Sequence, residues 1–219
     1  METPGRDLPV PSDEQSESRV ATVRPAGRWR SVTCRSVYSV RVTLATRGGT
    51  DEKARVVLNA FVEEYANLAY HGAKANDSDF QVMLERDLHA DTGEADVVPQ
   101  EMGRVLINLL TNAFYATQKR VGEPDYTPTV TVRTHRAVER VVIEVEDNGI
   151  GISEEVQRRI FEPFFTTKEV GHGTGLGLAT VHGVIRAHRG ALIIDSMTGQ
   201  DDGNGTKFEL FFPLNIIQT

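Results

Sequence analysis

Residues 129–152 read TVTVRTHRAVERVVIEVEDNGIGI, and this stretch decides what kind of sheet the chain builds. TVTVRTHR and VVIEVED alternate apolar and polar residues with the period of a half-buried strand. The joint from Ala137 to Arg140 is short enough to make the pair a hairpin. Downstream, ALIIDS and TKFELFFPL are two further strands, and upstream FQVMLERDL, Phe80 to Leu88, is another, followed by a turn at Asp91 to Glu94. Helices fill the gaps. Leu58, Phe61, Val62, Tyr65, Leu68 and Ala69 share one helical face, which predicts a helix over about 52–71 capped by Gly72. Pro99 opens a second, with Met102, Val105, Leu106, Leu109, Leu110 and Ala113 as its stripe, running to about Arg120. Ser153 starts a short helix to about Phe161, and GLGLATVHGVIRAHRG is a long one stopped by Gly190. The expected fold is α+β, a two-layer sandwich with helices on one face of a mixed, mostly antiparallel sheet.

The chain has 219 residues, 39% of them hydrophobic, enough for one domain with an appendage. Its formal charge of −7 argues against a protein that coats nucleic acid. A single cysteine, Cys34, rules out an internal disulfide framework and points to a reducing, cytoplasmic setting. No apolar run reaches the roughly 18–20 residues of a membrane span. Residues 1–50 differ from the rest: eight Arg and five acids leave +3 there, and the remainder, with 16 basic and 26 acidic residues, carries −10. The acids of this segment all lie at or before Glu17, so residues 1–50 are expected to be a poorly ordered leader or linker and 51–219 the folded domain.

Four features could carry chemistry, and each has an ordinary alternative. Asn108 and Asn112 in NLLTNAFYAT are i and i+4 on one helix flank, where amides can meet a metal or an anion, or simply solvate the helix edge. Asp147 ends its strand before Gly149 and Gly151; it could accept from a base, or belong to an Asp-Asn-Gly turn, and the glycines allow close approach of a ligand. FEPFFTTK, Phe161 to Lys168, is an aromatic-rich loop that ends in a cation. GHGTGLGLAT, Gly171 to Thr180, runs glycines into a helix, a generic anion site that fits neither the P-loop spacing nor the dinucleotide fingerprint.

Together, in this order and spacing, the four resemble the catalytic and ATP-binding domain of bacterial sensor histidine kinases, in the ATPase superfamily shared with gyrase, heat-shock 90 chaperones and MutL. The resemblance runs from about Leu58 to Leu214: NLLTNA as N box, DNGIGI as first glycine box, FEPFFTTK as F box, GHGTGLGL as second glycine box and GNGTKFEL as the closing box. It implies a Bergerat-type fold with ATP and Mg²⁺ as ligands. Asn112 would coordinate Mg²⁺, Asn108 would support the ion and phosphates, and Asp147 would accept from the adenine amino group. Gly149, Gly151 and Ile152 would line the base, with Thr206 behind it. Gly173, Thr174, Gly175, Leu176, Gly177 and Leu178 would face the phosphates, and Lys168 would stabilise charge on the transferred phosphoryl. Tyr115 stands where many members carry Lys or Arg, with Lys119 and Arg120 a turn further on.

Water-splitting branches of that superfamily carry Glu in the place of Asn108. A neutral amide cannot take a proton from water, so Asn108 favours transfer to histidine, which is already nucleophilic when neutral. The implied acceptor is a histidine on a dimerisation domain, with a response regulator beyond it. None of His71, His89, His135, His172, His182 and His188 lies in an acceptor motif, so that domain is expected to be missing from this chain. The alternative is a stand-alone nucleotide-binding module that regulates a partner without phosphotransfer.

Overall fold

The computed structural model describes residues 52–169, 173–199 and 203–213, together with the backbone of residues 34–38. Among the described residues, eight strands and four helices follow one another: β1 (Cys34–Tyr38), β2 (Ala54–Val57), α1 (Leu58–Asn76), β3 (Met83–Leu88), β4 (Glu94–Val97) and α2 (Pro99–Gln118). Then come β5 (Thr129–Ala137), β6 (Arg140–Asp147), α3 (Glu154–Gln157), α4 (Gly177–Ala187), β7 (Ala191–Met197) and β8 (Gly205–Pro213).

The hairpin is confirmed: β5 and β6 pair antiparallel from Val130 opposite Asp147 to Ala137 opposite Arg140. Around it the sheet runs β1-β7-β8-β6-β5-β3, antiparallel throughout except for the parallel pair β3 and β5. Alternate residues Val141, Ile143 and Val145 point into the helical layer, where they meet Leu106, Leu109 and Leu110 of α2 in a single apolar core. The opposite parity carries ion pairs, such as Arg133 with Glu146 and Lys207 with Glu209 at 2.8 Å. This is the expected α+β sandwich.

Several boundaries differ from the sequence reading. Helix α1 begins at Leu58 rather than 52, because Ala54–Val57 pairs antiparallel with Glu94–Val97 as a separate two-stranded sheet. Gly72 does not cap α1: Ala73 still packs on the core, and the helix continues to Asn76. The Ser153 helix is only Glu154–Gln157, with the Ser153 hydroxyl accepting from Val156 N–H at 3.4 Å. The sequence suggested no strand within residues 1–50, yet Cys34–Tyr38 lies beside β7 as an edge strand. The remainder of that leader, and Gly171, His172 and Leu214, lie outside the described residues.

Candidate functional site

α2 is the axis of the site. Its apolar face, including Val105, Leu106, Leu109 and Leu110, is sealed in the core, which fixes the roll of the helix and turns Asn108, Asn112 and Tyr115 toward a cavity of about 400 Å³. This size is ample for a nucleotide-sized ligand. Asp147 enters from the end of β6, Thr206 from β8, Lys168 from the loop after Phe161–Phe165, and Gly177 and Leu178 from the first turn of α4. Thirteen of the fifteen residues singled out above line this one cavity; Gly149 and Leu176 do not.

The carboxyl group of Asp147 is buried and held by the backbone. Asp147 is 5% exposed, and its Oδ1 accepts from Gly149 N–H at 2.9 Å. Burial pushes its carboxyl up to about 7, against the pull of hydrogen bonds from the backbone of Gly149 and Thr206. Gly149 and Gly151 are required by the protein's own packing, and Gly151 also lines the cavity. A Cβ on Gly149 would strike the backbone of Ala116 in α2, and one on Gly151, at φ +71°, would run into the Met197 carbonyl of β7. The glycine loop is therefore wedged between helix and sheet. Ser196 pins it: its hydroxyl donates to Gly205 O at 2.9 Å and accepts from Ile152 N–H at 2.8 Å. With that hydrogen committed, Thr206 Oγ1, 2.9 Å away, is the donor to Ser196.

The same cavity holds a cation. Lys168 Nζ donates to Asn112 Oδ1 at 2.8 Å and lies 4.5 Å from the Tyr115 ring centroid. Burial holds this ammonium below lysine's ordinary value. Asn108 lies under the start of α4, its Oδ1 3.3 Å from where a Cβ on Gly177 would stand, so a side chain at that position would require the amide to give by a few tenths of an ångström. Helix α4 has no side-chain cap, and its first N–H groups are free to meet an anion beside the two amides. Gly175, at φ +67°, lies against the Phe164 backbone, and its carbonyl accepts from Phe164 N–H at 2.9 Å.

Lys119 and Arg120 do not join the cavity lining. Lys119 pairs with Glu169 at 2.9 Å, and Arg120 donates to the Asn148 carbonyl at 2.9 Å while stacking on Tyr126. Tyr126 in turn donates to the Asn148 side chain at 3.0 Å. Arg120, Tyr126 and Ser196 thus hold Asn148 and the loop that carries Asp147, and no motif spacing announces those three. Among the described residues no cluster of three His, Cys, Asp or Glu side chains could hold a metal, and no helix is long and apolar enough to cross a membrane.

One cavity, lined by a carboxyl group from the sheet and by a loop cation held beside α2, marks a nucleotide-binding module built on a mostly antiparallel sheet. Over residues 97–216 the sequence matches the family described as histidine kinase-, DNA gyrase B- and HSP90-like ATPases, and the chain belongs to that family. It is 35% identical over 162 residues to the signal transduction histidine-protein kinase AtoS of Escherichia coli K12, covering 74% of this chain and 24% of AtoS. A 73-residue stretch is 55% identical to the sensor kinase CckA of Brucella abortus, covering 33% of this chain and 7% of CckA. Among solved structures, the nucleotide-free catalytic domain of histidine kinase ThkA superposes with TM-score 0.59 at 26% identity, covering 74% of this chain and 95% of that one. Fold and sequence are those of the ATP-binding catalytic module of two-component kinases. The chain spans about a quarter of AtoS and less of CckA.

Proposed function

We propose that this chain binds Mg-ATP and transfers its γ-phosphoryl group to a histidine on a dimerisation domain, from which a response regulator receives it, in the cytoplasm. The observation that supports this reading is one cavity lined both by the buried carboxyl group of Asp147 and by the ammonium of Lys168, 2.8 Å from an amide oxygen. Adenine would enter at Asp147, which accepts from its amino group, with Gly151, Ile152 and Thr206 around the ring. Gly149 and Leu176, which lie off the cavity, act by shaping the loops. The phosphates would meet the first N–H groups of α4, with Gly173, Thr174, Gly175 and Leu178 beside them.

Asn112 suits Mg²⁺: a neutral amide oxygen already engaged by a cation is the kind of oxygen that ion takes, one or two at a time from protein. When bound, the ion neutralises charge on the phosphate oxygens. Asn108 steadies those oxygens and, being neutral, leaves water without a base. A neutral imidazole nitrogen attacks the γ-phosphorus, the bond to the ADP oxygen breaks, and ADP departs. Lys168 stabilises the charge on the phosphoryl group in flight. Residues 1–50, apart from the edge strand Cys34–Tyr38 that joins the sheet, serve as a leader or linker.

The test is transfer in trans. The chain is mixed with labelled ATP and a separate histidine-bearing dimerisation domain, and label is expected on that histidine as an acid-labile product. Tight ATP binding with no label on the histidine would instead make the chain a stand-alone regulatory module.

A further inference from the structure

We infer that Tyr115 is a positioning residue: its ring seats the ammonium of Lys168, so that the cation at the phosphate end of the site is delivered by the loop of residues 161–169, the lid, and not by α2. This rests on the nucleotide reading above. Asn112 and Tyr115 on α2 and Lys119 at its C-cap are i, i+3 and i+7 and form one flank of the helix. Lys168 lies against that flank, donating to Asn112 Oδ1 at 2.8 Å with the Tyr115 ring centroid 4.5 Å from Nζ. An ammonium has three donors and no acceptor, so an amide oxygen together with a ring face suits it well.

The neighbours reinforce the seat. Gly173 lies flat on the lysine stem, where a Cβ would approach Lys168 Cβ and Cδ to 3.1 and 3.2 Å, and this limits the directions the chain can take. Lys119 reaches the same ring at 5.1 Å and pairs with the adjacent lid residue Glu169 at 2.9 Å. The lid thus crosses α2 at two successive residues. A basic residue in the place of Tyr115 would set a second positive charge beside Lys168 and push the lid away. Tyrosine on the helix and lysine on the lid are complementary, and the consequence is mechanical. With the cation on the lid, its contact with phosphate depends on the lid lying against α2, where Lys168 bonds the Asn112 oxygen.

The experiment has two arms, both with the full chain. In the first, hydrogen exchange is followed without nucleotide at the Phe164 amide, which donates to Gly175 O, and at the Lys168 amide, which donates to Thr166 Oγ1. Tyr115→Leu and Lys168→Met should each speed exchange about fivefold, their effects should not add in the double variant, and Tyr115→Phe should keep the wild-type rate. In the second, Lys168→Met should weaken Mg-ATP binding about tenfold, and Tyr115→Lys in that background should restore most of the loss by returning a cation from the helix side. Unchanged lid exchange in both single variants would overturn the inference, as would a Tyr115→Lys, Lys168→Met protein that binds no better than Lys168→Met alone. The exchange arm needs no nucleotide, so it decides the seat even where the wild type fails to bind Mg-ATP, a failure that would count against the nucleotide reading alone.

Discussion

Asp147 carries a charge that the fold resists. Its carboxyl is raised from 3.8 to about 7, first by burial and further by Glu146. Because the folded-state value lies above the unfolded one, its contribution to stability is complete below 3.8 and is lost as pH rises through about 7. An adenine amino group favours the ionised acceptor, so binding and stability run in opposite directions across this window. ADP affinity is expected to be about tenfold lower at pH 6 than at pH 8 in the wild type, relative to Asp147→Asn. Titration calorimetry at the two pH values measures this, and the phosphates' own titration, common to both proteins, cancels in the ratio. Asp147→Asn should also cost about 1–3 kcal/mol of ADP binding at pH 8. Equal affinities would remove Asp147 from the adenine end. The candidacy of Asp147 was legible in sequence because a carboxylate before two glycines at a strand end is a local pattern. Ser196 and Arg120 were not, because they reach the loop from strand β7 and from the residues just beyond α2, and only the folded chain brings them together.

Helices α2 and α4 must keep their relative position for Asn108 to lie beside Gly177, and one side chain ties their far ends. His188, at the C-cap of α4, accepts from Val98 N–H at 2.9 Å through Nε2, while Nδ1–H donates to Val184 O at 2.9 Å. Val98 is the N-cap residue of α2 and is itself buried, so the bond satisfies one of the helix's orphan donors where water cannot reach. His188→Ala should destabilise the fold by about 1–3 kcal/mol in urea unfolding, whereas His188→Gln, which can still accept, should recover part of that. A loss below about 0.5 kcal/mol would show the bond to be dispensable. The sequence singles out His188 only as a histidine without an acceptor motif. At this scale it spoke most clearly where periodicity was long: the stripe of α2 and the hairpin β5–β6 were readable. The four-residue strands β2 and β4 were not, since ARVV and EADV are too short to show a period and derive their conformation from each other. For the same reason the start of α1 was read too early, across residues that tertiary pairing claims for a strand.

At the scale of the whole molecule, the site is assembled from elements remote in sequence, and a ligand that bridges them should be felt by the entire fold. Asp147 and Thr206 belong to the sheet, Asn108 and Asn112 to α2, Gly177 to α4 and Lys168 to the lid, all around one cavity. A ligand that binds only the native arrangement stabilises it by RT ln(1 + [L]/Kd), about 2.7 kcal/mol at a concentration of 100 Kd. For a domain of this size each kcal/mol moves Tm by about 2–4 °C, so saturating Mg-ATP should raise Tm by about 5–10 °C. Much of the gain should depend on magnesium through Asn112: replacing Mg²⁺ with EDTA should shrink the shift in the wild type. In Asn112→Ala the shifts with and without magnesium should converge, while the unliganded Tm stays close to that of the wild type, because Asn112 lies outside the apolar core. Differential scanning fluorimetry on the two proteins reads all four conditions. A magnesium-dependent shift that survives in Asn112→Ala would move the ion to another residue, and an identical shift with EDTA in the wild type would mean that the nucleotide is held without it.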